Sequence, residues 1–375
     1  MVLFNSSKYA RIAEKNSERL EVVFRFEEPE RVPVVIGVGG PYYTWLFGYT
    51  FKEYYSSLKV MLDAQVMGLK WRLDWLQDDL ADIGVHLDVG SIAEGIVFNC
   101  RIIMPDERDP WRSPWIVPRI QSLEDVDRLE VPDPEENPGV RAYYDRLDEF
   151  KKLARKEYGD IPISEGGLQI HPPVSAAGSL LGPQRLYAWL YRYPDEMHKL
   201  LRKLEKTYDV LQRYRYERMG GSMEAIGLSD DHSGYLTRRM YEKFSLPYNL
   251  RLFEKYGRRR RSLHMDSHMD HITDIIRDVY KVNSADVGVE NNFGIIAEAF
   301  KGKVVFNGNA NWRVLLACDQ EKIRREVERC IYAGAPAGGY IFDNGGETYA
   351  GILPESLKYE VEFAKKIGAY PIKKR

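Results

Sequence analysis

Short apolar runs alternate with longer amphipathic segments from about residue 141 to the end of the chain. The apolar runs have the length of buried strands, and the amphipathic segments have the length and period of helices. The predicted strands lie within IPISEGG, MEAIGLSDD, SLHMD, ADVGV, KVVFNGN and GGYIFDN. This alternation predicts an α/β fold whose parallel sheet closes into a TIM-type (β/α)8 barrel.

The N-terminal part of the chain has a different pattern. Residues 1–32 predict a polar helical extension that leads into a first strand at 33–38. Residues 105–140 are rich in proline and acidic residues, which predicts a surface excursion. We interpret 1–375 as a single barrel domain that carries these two additions.

Polar side chains follow most of the predicted strands, at the point where each strand ends. The carboxyl ends of barrel strands meet on one face, which carries the chemistry in this fold. We therefore expect a single pocket on this face. The substrate-binding candidates outside the aromatic segment are Glu165, His232, Glu290, Asn307, Asn309, Asp343 and Glu347.

The strongest candidates for chemistry are Asp231, His264 and Asp266. His264 and Asp266 are two positions apart, so in an extended strand both face the same side. An imidazole and a carboxylate are part of a zinc site whose third ligand comes from another strand, or they form a metal-free acid–imidazole pair. Asp230 and Asp231 form a carboxylate pair with two interpretations. Either repulsion raises the pKa of one carboxyl, or one of the two residues only caps the next helix. We expect Asp231 to face the pocket.

Other candidates have two interpretations each. The aromatic residues Tyr42, Tyr43 and Trp45 either pack in the core or cover a flat substrate. Asn307, Asn309 and Asp343 lie in glycine-containing segments, which orient a ligand or merely form turns.

Composition narrows the class of protein. The formal net charge of −2 gives no basic field for nucleic acid, and the run at 258–261 is a solvated helix end. The three cysteines form no CxxC motif, which fits a reducing compartment. No signal segment or apolar stretch of ~20 residues is seen. We expect a cytoplasmic protein that does not associate with membranes, with a homodimer as one option.

Several segments together resemble the uroporphyrinogen decarboxylase-like superfamily. These are EEPERVPV, LLGPQRLYAWLYRYPDEMHKLLRKL, SDDHSGYLTRRMYEKFSLPYNLRLF, LHMDSH, VFNGN and GGYIFDNGGE. The resemblance covers roughly residues 25–370 and implies a TIM-type barrel. The decarboxylases of this family carry an arginine-rich signature after the first strand. Here that place reads IGVGGPYYTW, without arginine.

The other branch of the superfamily consists of corrinoid-dependent methyltransferases, many of which bind zinc through a His-x-Cys pair and a distant cysteine. His264 matches the histidine, Asp266 replaces the first cysteine, and the second would fall near Gly346. Oxygen and nitrogen ligands suit the polarisation of an ether oxygen better than the activation of a thiol.

The resemblance therefore implies methyl transfer from a small methylated substrate, a methoxylated aromatic, to the Co(I) corrinoid of a partner protein, with or without zinc. Tyr42, Tyr43 and Trp45 would cover the aromatic ring. The alternative is decarboxylation of a porphyrinogen or another small acid, which gains support if Arg72, Arg101 or Arg112 lines the pocket. A non-catalytic ligand-binding barrel is the third class.

Overall fold

The computed structural model describes residues 6–164, 166–221 and 223–372. The strands assigned in these ranges are β1 (Ile102–Ile103), β2 (Trp115–Ile116), β3 (Ala225–Ser229), β4 (Arg260–Met265), β5 (Ser284–Val287), β6 (Val305–Ala310) and β7 (Tyr340–Asn344). β1 and β2 form an antiparallel hairpin, whereas β3 to β7 form a parallel sheet in chain order. Each predicted strand from residue 225 onward is therefore confirmed.

The parallel sheet continues around a TIM-type barrel through single bridges. Val34 pairs in parallel with Phe342 of β7, and Val85 pairs in parallel with Ile163. The expected first strand at 33–38 is thus shorter than predicted. On its second side, the backbone N–H groups of Val34 and Ile36 donate to the carboxylates of Asp79 and Asp78 instead of to a neighbouring strand.

The helices surround this barrel. Their bounds are α1 (Ser6–Phe24), α2 (Gly40–Leu46), α3 (Phe51–Ser56), α4 (Leu58–Trp71), α5 (Ala93–Val97), α6 (Leu123–Arg128), α7 (Pro138–Tyr158), α8 (Pro173–Leu181), α9 (Pro183–Arg192), α10 (Pro194–Met219), α11 (Arg238–Phe244), α12 (Leu246–Tyr256), α13 (Phe293–Phe300), α14 (Arg313–Leu316), α15 (Gln320–Gly334) and α16 (Pro354–Ile367). α10 ends at Gly220, whose φ of 64° is in the left-handed region that suits glycine. α12 begins at Leu246 after a break at Ser245, with Pro247 in its first turn.

Burial alternates along the strands and determines which residues reach the active face. In β4, Leu263 and Met265 are buried against the core, whereas His264 between them is only half-buried. In β5, Ala285 and Val287 are buried and Asp286 is half-buried. Because side chains alternate along a strand, His264 and Asp286 belong to the opposite face from these core residues.

Tyr42, Tyr43 and Trp45 pack in or against the core in this fold, which is one of the two interpretations of this segment. Tyr42 has no exposed surface, and its hydroxyl donates to the carbonyl of Ile352 over 2.8 Å. Tyr43 is buried and donates to the carbonyl of Val38. Trp45 packs against Tyr42 with ring centroids 5.5 Å apart. These side chains are core, because α2 turns them away from the strand ends.

The segment 105–140 is only partly a surface excursion. Its Ile120 and Val126 are fully buried, while Trp111 and Trp115 are exposed. No helix in the described part of the chain combines the length and apolar character needed to cross a membrane.

Candidate active site

A cavity of about 470 Å³ lies at the carboxyl ends of β3 and β4. Its side chains include three histidines, four acids, two tyrosines and three serines: His86, His171, His264, Asp88, Asp231, Asp266, Glu347, Tyr55, Tyr349, Ser91, Ser113 and Ser229. Among the described residues that line it, none is arginine or lysine. The cavity is therefore acidic.

The structure brings Asp231, His264 and Asp266 together in this cavity. The parallel register places Ser229 beside His264, so Asp231 follows just beyond the end of β3. His264 Nε2 lies 4.0 Å from Asp231 Oδ1 and 3.8 Å from Asp266 Oδ2. The backbone N–H of Asp266 donates to Asp231 Oδ1 over 2.8 Å, which ties the ends of the two strands together.

Asp286 is a site residue that the sequence analysis missed. It lies beside His264 in the register of β4 and β5, and its Oδ2 is 3.0 Å from His264 Nδ1. Such a pair fixes the orientation of the ring and leaves Nε2 free for a proton or a metal. The available signal was an acid at the middle of the apolar run ADVGV, at a position that alternates with core residues.

The electrostatics of the site favour protonated groups. Burial alone would lower the pKa of His264, but the Asp286 hydrogen bond and the Asp231 and Asp266 charges outweigh it and raise the pKa to about 9. Burial, with neighbouring carboxylates, raises the pKa of Asp266 and that of Glu347. His264 is therefore an imidazolium at neutral pH, and proton donors are available in the cavity.

The cluster also fits a divalent metal. Within the described residues, Asp231, His264 and Asp266 offer ligand atoms that all lie within 4.8 Å of one another. One imidazole and two carboxylates form a nitrogen and oxygen set that suits zinc, and three protein ligands leave a coordination position open. The Asp286 contact supplies the outer support that metal-bound histidines usually have.

A second imidazole of the same cavity, that of His171, is paired with a carboxylate behind it. Glu94, which is fully buried, has Oε1 2.8 Å from His171 Nδ1 and also accepts the backbone N–H of His171. Burial opposes the charge on His171, but Glu94 outweighs it and raises the pKa of the imidazole. The sequence analysis did not select His171, because no predicted strand ends at this residue.

The two acids at the end of β3 have different environments. Asp230 has no exposed surface, and its carboxylate accepts hydrogen bonds from Ser175, Ser245 and Asn249. It is a structural group rather than a helix cap made by its side chain. Asp231 lines the cavity, as the sequence analysis expected.

The amides and acid of β6 and β7 do not line the cavity. Asn307 Nδ2 donates to Asp343 Oδ2 over 3.1 Å, and Asp343 Oδ1 accepts the backbone N–H of Gly37 over 2.7 Å. Asn309 is 1% exposed and donates to the carbonyls of Gly288 and Asn291. Asn307, Asn309 and Asp343 thus bond to protein groups outside this cavity, and the substrate-binding role predicted for them stays a prediction.

The remaining candidates also lie in different places. Glu290 is exposed, lies 3.7 Å from Arg313 and does not line this cavity, so its role in substrate binding stays a prediction. His232 lies outside this cavity, in a neighbouring one. Glu347 lines the cavity as expected. Glu165 lies outside the described residues.

The arginines that would favour a decarboxylase do not line the cavity. Arg72 is buried, bonded to Asp78 and to the carbonyls of Ile36 and Val38. The guanidinium of Arg112 stacks over Trp115 at 3.5 Å from the ring centroid. Arg101 is exposed just before β1.

The barrel and its acid–imidazole cluster define an α/β-barrel enzyme. The model of the uroporphyrinogen decarboxylase (URO-D) family matches residues 15–367, so the chain belongs to this family. It is 26% identical over 258 residues to uroporphyrinogen decarboxylase of Geobacter sulfurreducens, covering 66% of this chain and 71% of that protein. It is 22% identical to that of Chloroherpeton thalassium over 295 residues, covering 75% of this chain and 81% of the relative.

A solved structure shares the fold. The methyltransferase from Methanosarcina mazei superimposes with a TM-score of 0.68 at 17% sequence identity, covering 94% of this chain and 98% of the other. The predicted TIM-type barrel is thus confirmed.

Proposed function

We propose that the protein transfers a methyl group from a small methylated substrate, a methoxylated aromatic, to the Co(I) corrinoid of a partner protein. The observation that carries this proposal is the cluster of Asp231, His264 and Asp266 in an acidic cavity. These groups can protonate or polarise an ether oxygen. The volume of about 470 Å³ suits a small ligand, and the larger corrinoid would be presented at the mouth by its partner.

In this proposal the chain stabilises the leaving oxygen. The Co(I) corrinoid would supply the electron pair that accepts the methyl group, and the electron pair of the broken carbon–oxygen bond would stay on oxygen. His264, an imidazolium at neutral pH, donates a proton from Nε2 to that oxygen. Asp286 holds the ring at Nδ1 so that Nε2 faces the oxygen.

A zinc ion bound by Asp231, His264 and Asp266 would supply Lewis-acid polarisation of the same oxygen. If zinc took His264 Nε2 as a ligand, the proton would come from a neighbouring acid instead. Glu347 lines the same cavity, and burial raises the pKa of its carboxyl, so it is suited to that task.

Family membership favours a second candidate, decarboxylation of a porphyrinogen or another small acid. The cavity argues against a substrate with many carboxylates. Asp88, Asp231, Asp266 and Glu347 would repel it, and no arginine or lysine is among the described lining residues.

In the decisive experiment, this protein is mixed with a chemically reduced corrinoid and its partner protein. Methoxyphenols, methoxybenzoates, methanol and methylamines are then added in turn as methyl donors. Formation of methyl-Co(III) is followed by absorbance. We expect conversion with a methoxylated aromatic, and a loss of at least about a hundredfold in Asp266→Asn. Glu290→Gln, an exposed acid outside the cavity, is the matched control. Release of CO₂ from a porphyrinogen without methyl transfer would contradict the proposal.

A thermal melt tests the metal site separately. Zinc at a hundred times its Kd should stabilise the wild-type protein by about 2.7 kcal/mol. Asp266→Asn should lose this effect, because it removes one of three ligands. Equal stabilisation of both proteins would place the zinc elsewhere and leave a metal-free acid–imidazole site.

A further inference from the structure

A second cavity, which we call the side chamber, lies beside the active-site cavity. It has a volume of about 320 Å³ and shares Ser91, His171 and Asp231 with the active-site cavity. The rest of its wall is largely apolar and includes Trp115, Ile116, Pro118, Gly178, Ser179 and Gly182. One ligand can therefore occupy both cavities through the junction at His171 and Asp231.

One wall of the side chamber comes from the hairpin of β1 and β2. Ile103 pairs with Trp115 in this hairpin, and the indole remains 38% exposed. The guanidinium of Arg112 stacks on the indole and holds it in place. A fixed, partly exposed aromatic side chain beside a catalytic cluster is a suitable surface for a flat apolar ligand.

The opposite wall comes from α8 and from His232. A Cβ added at Gly178 would lie 2.4 Å from His232 Cδ2, so the close approach of this ring requires glycine. Among the described residues of its lining, the only carboxylate is that of Asp231, at the junction with the active-site cavity.

We propose that the side chamber binds the ring of an uncharged methoxylated aromatic, a methoxyphenol, whose methoxy group lies at the junction beside Asp231. This inference rests on the proposed function. The ring is removed from water by Trp115 and Pro118, and the ether oxygen faces the His264 cluster. A carboxylate on the ring is disfavoured, because acids outnumber imidazoles in the active-site cavity and its described lining lacks arginine and lysine.

Binding of 2-methoxyphenol by calorimetry tests this directly, without the corrinoid. Ser179→Leu places an isobutyl group in the side chamber from a half-buried helix position. The Kd of 2-methoxyphenol for this variant should be at least about tenfold higher than for the wild-type protein. Trp115→Ala should weaken binding similarly, by removing the aromatic wall. Trp111→Ala is the matched control, because this exposed tryptophan lies in the same segment but does not line the side chamber. 3-Methoxybenzoate should bind the wild-type protein at least about tenfold more weakly.

Methyl transfer measured in parallel separates the two proposals. If 2-methoxyphenol is a donor but Ser179→Leu and Trp115→Ala bind it as the wild type does, the ring lies elsewhere and the inference is wrong. If only methanol or a methylamine donates a methyl group, the inference fails while methyl transfer stands. If binding changes as expected but no donor is demethylated, the side chamber is a ring site and the proposed function is wrong.

Discussion

Two groups of strand ends carry the same kinds of polar residues and differ in what those residues contact. At the ends of β6 and β7, Asp343 accepts from Gly37, Asn307 and Asn344, so its hydrogen bonds are made within the protein. At the ends of β3 and β4, His264 Nε2 lies 3.8 Å and 4.0 Å from two carboxylates, too far for a hydrogen bond.

The difference shows how this barrel separates stability from chemistry. A satisfied polar group stabilises the fold and has no capacity left for a ligand. An oriented but unsatisfied group, such as Nε2 of His264, can bind a metal or transfer a proton. A polar residue at a strand end can therefore bind a ligand or transfer a proton only where at least one of its polar atoms lacks a hydrogen-bond partner in the protein.

Replacing His264 should give the largest effect. His264→Ala should lower methyl transfer per folded molecule at least about a hundredfold, because it removes the proton donor or metal ligand, and the variant should stay folded without denaturant although it loses the contacts of His264 with three carboxylates. Urea denaturation and the corrinoid assay measure the two quantities. A large loss of stability with full activity per folded molecule would mean that His264 stabilises the fold rather than taking part in the chemistry.

Asn309→Ala should have the opposite profile. The substitution leaves the carbonyls of Gly288 and Asn291 and one Arg329 contact without their partner, which should cost about 2 kcal/mol of unfolding free energy. Urea denaturation measures the loss. Activity per folded molecule should stay at the wild-type level, and a selective loss of activity would make β6 part of the site.

Asp343, the acid at the end of β7, should also affect how the free energy of unfolding depends on pH. Burial raises the pKa of Asp343 from 3.8 to about 7. The folded state thus holds the proton more tightly, and the stability from this group is fully present below pH 3.8 and is lost as pH rises through 7. Each pH unit in this window costs up to about 1.4 kcal/mol.

Asp343→Asn should remove this slope relative to wild type in denaturation curves at pH 4 to 8. Burial and the charge of Asp343 raise the pKa of Glu360 to about 8, so Asp343→Asn should lower the slope through both groups. An unchanged slope would mean that Asp343 is ionised in the folded protein throughout this range.

The smallest effect is expected for Glu290→Gln. This exposed acid faces Arg313 at 3.7 Å, and such surface pairs contribute little. Stability should change by less than about 0.5 kcal/mol, with methyl transfer unchanged. A measurable drop in methyl transfer, at constant stability, would extend the site to the end of β5.

The sequence predicted more of the fold than of the site. Asp231, His264, Asp266 and Glu347 were selected and do line the cavity, because their position after apolar runs places them on the active face. The same criterion also selected Asn307, Asn309 and Glu290, which do not line it. Position along a strand indicates the face on which a residue lies, but it does not show which protein groups bond to it.

The missed residues have a common physical reason. Asp286 contacts His264 because the register of β4 and β5 places the two residues side by side. His171 is held by Glu94, which is 77 positions away in the chain. The sequence left two interpretations open for Tyr42 and Trp45 for the converse reason. An aromatic cluster has the same composition whether it faces a cavity or the core, and only packing decides.

The sequence by itself determined the order of strands and helices, the face of the barrel that carries chemistry, and the pairing of His264 with Asp266. These follow from the short-range periods of strands and helices. Only the tertiary structure decided that Asp286 orients His264 and that the 105–140 segment contributes Trp115 to a side chamber. These depend on contacts between residues distant in the chain, which burial and hydrogen bonding establish only when the barrel is closed.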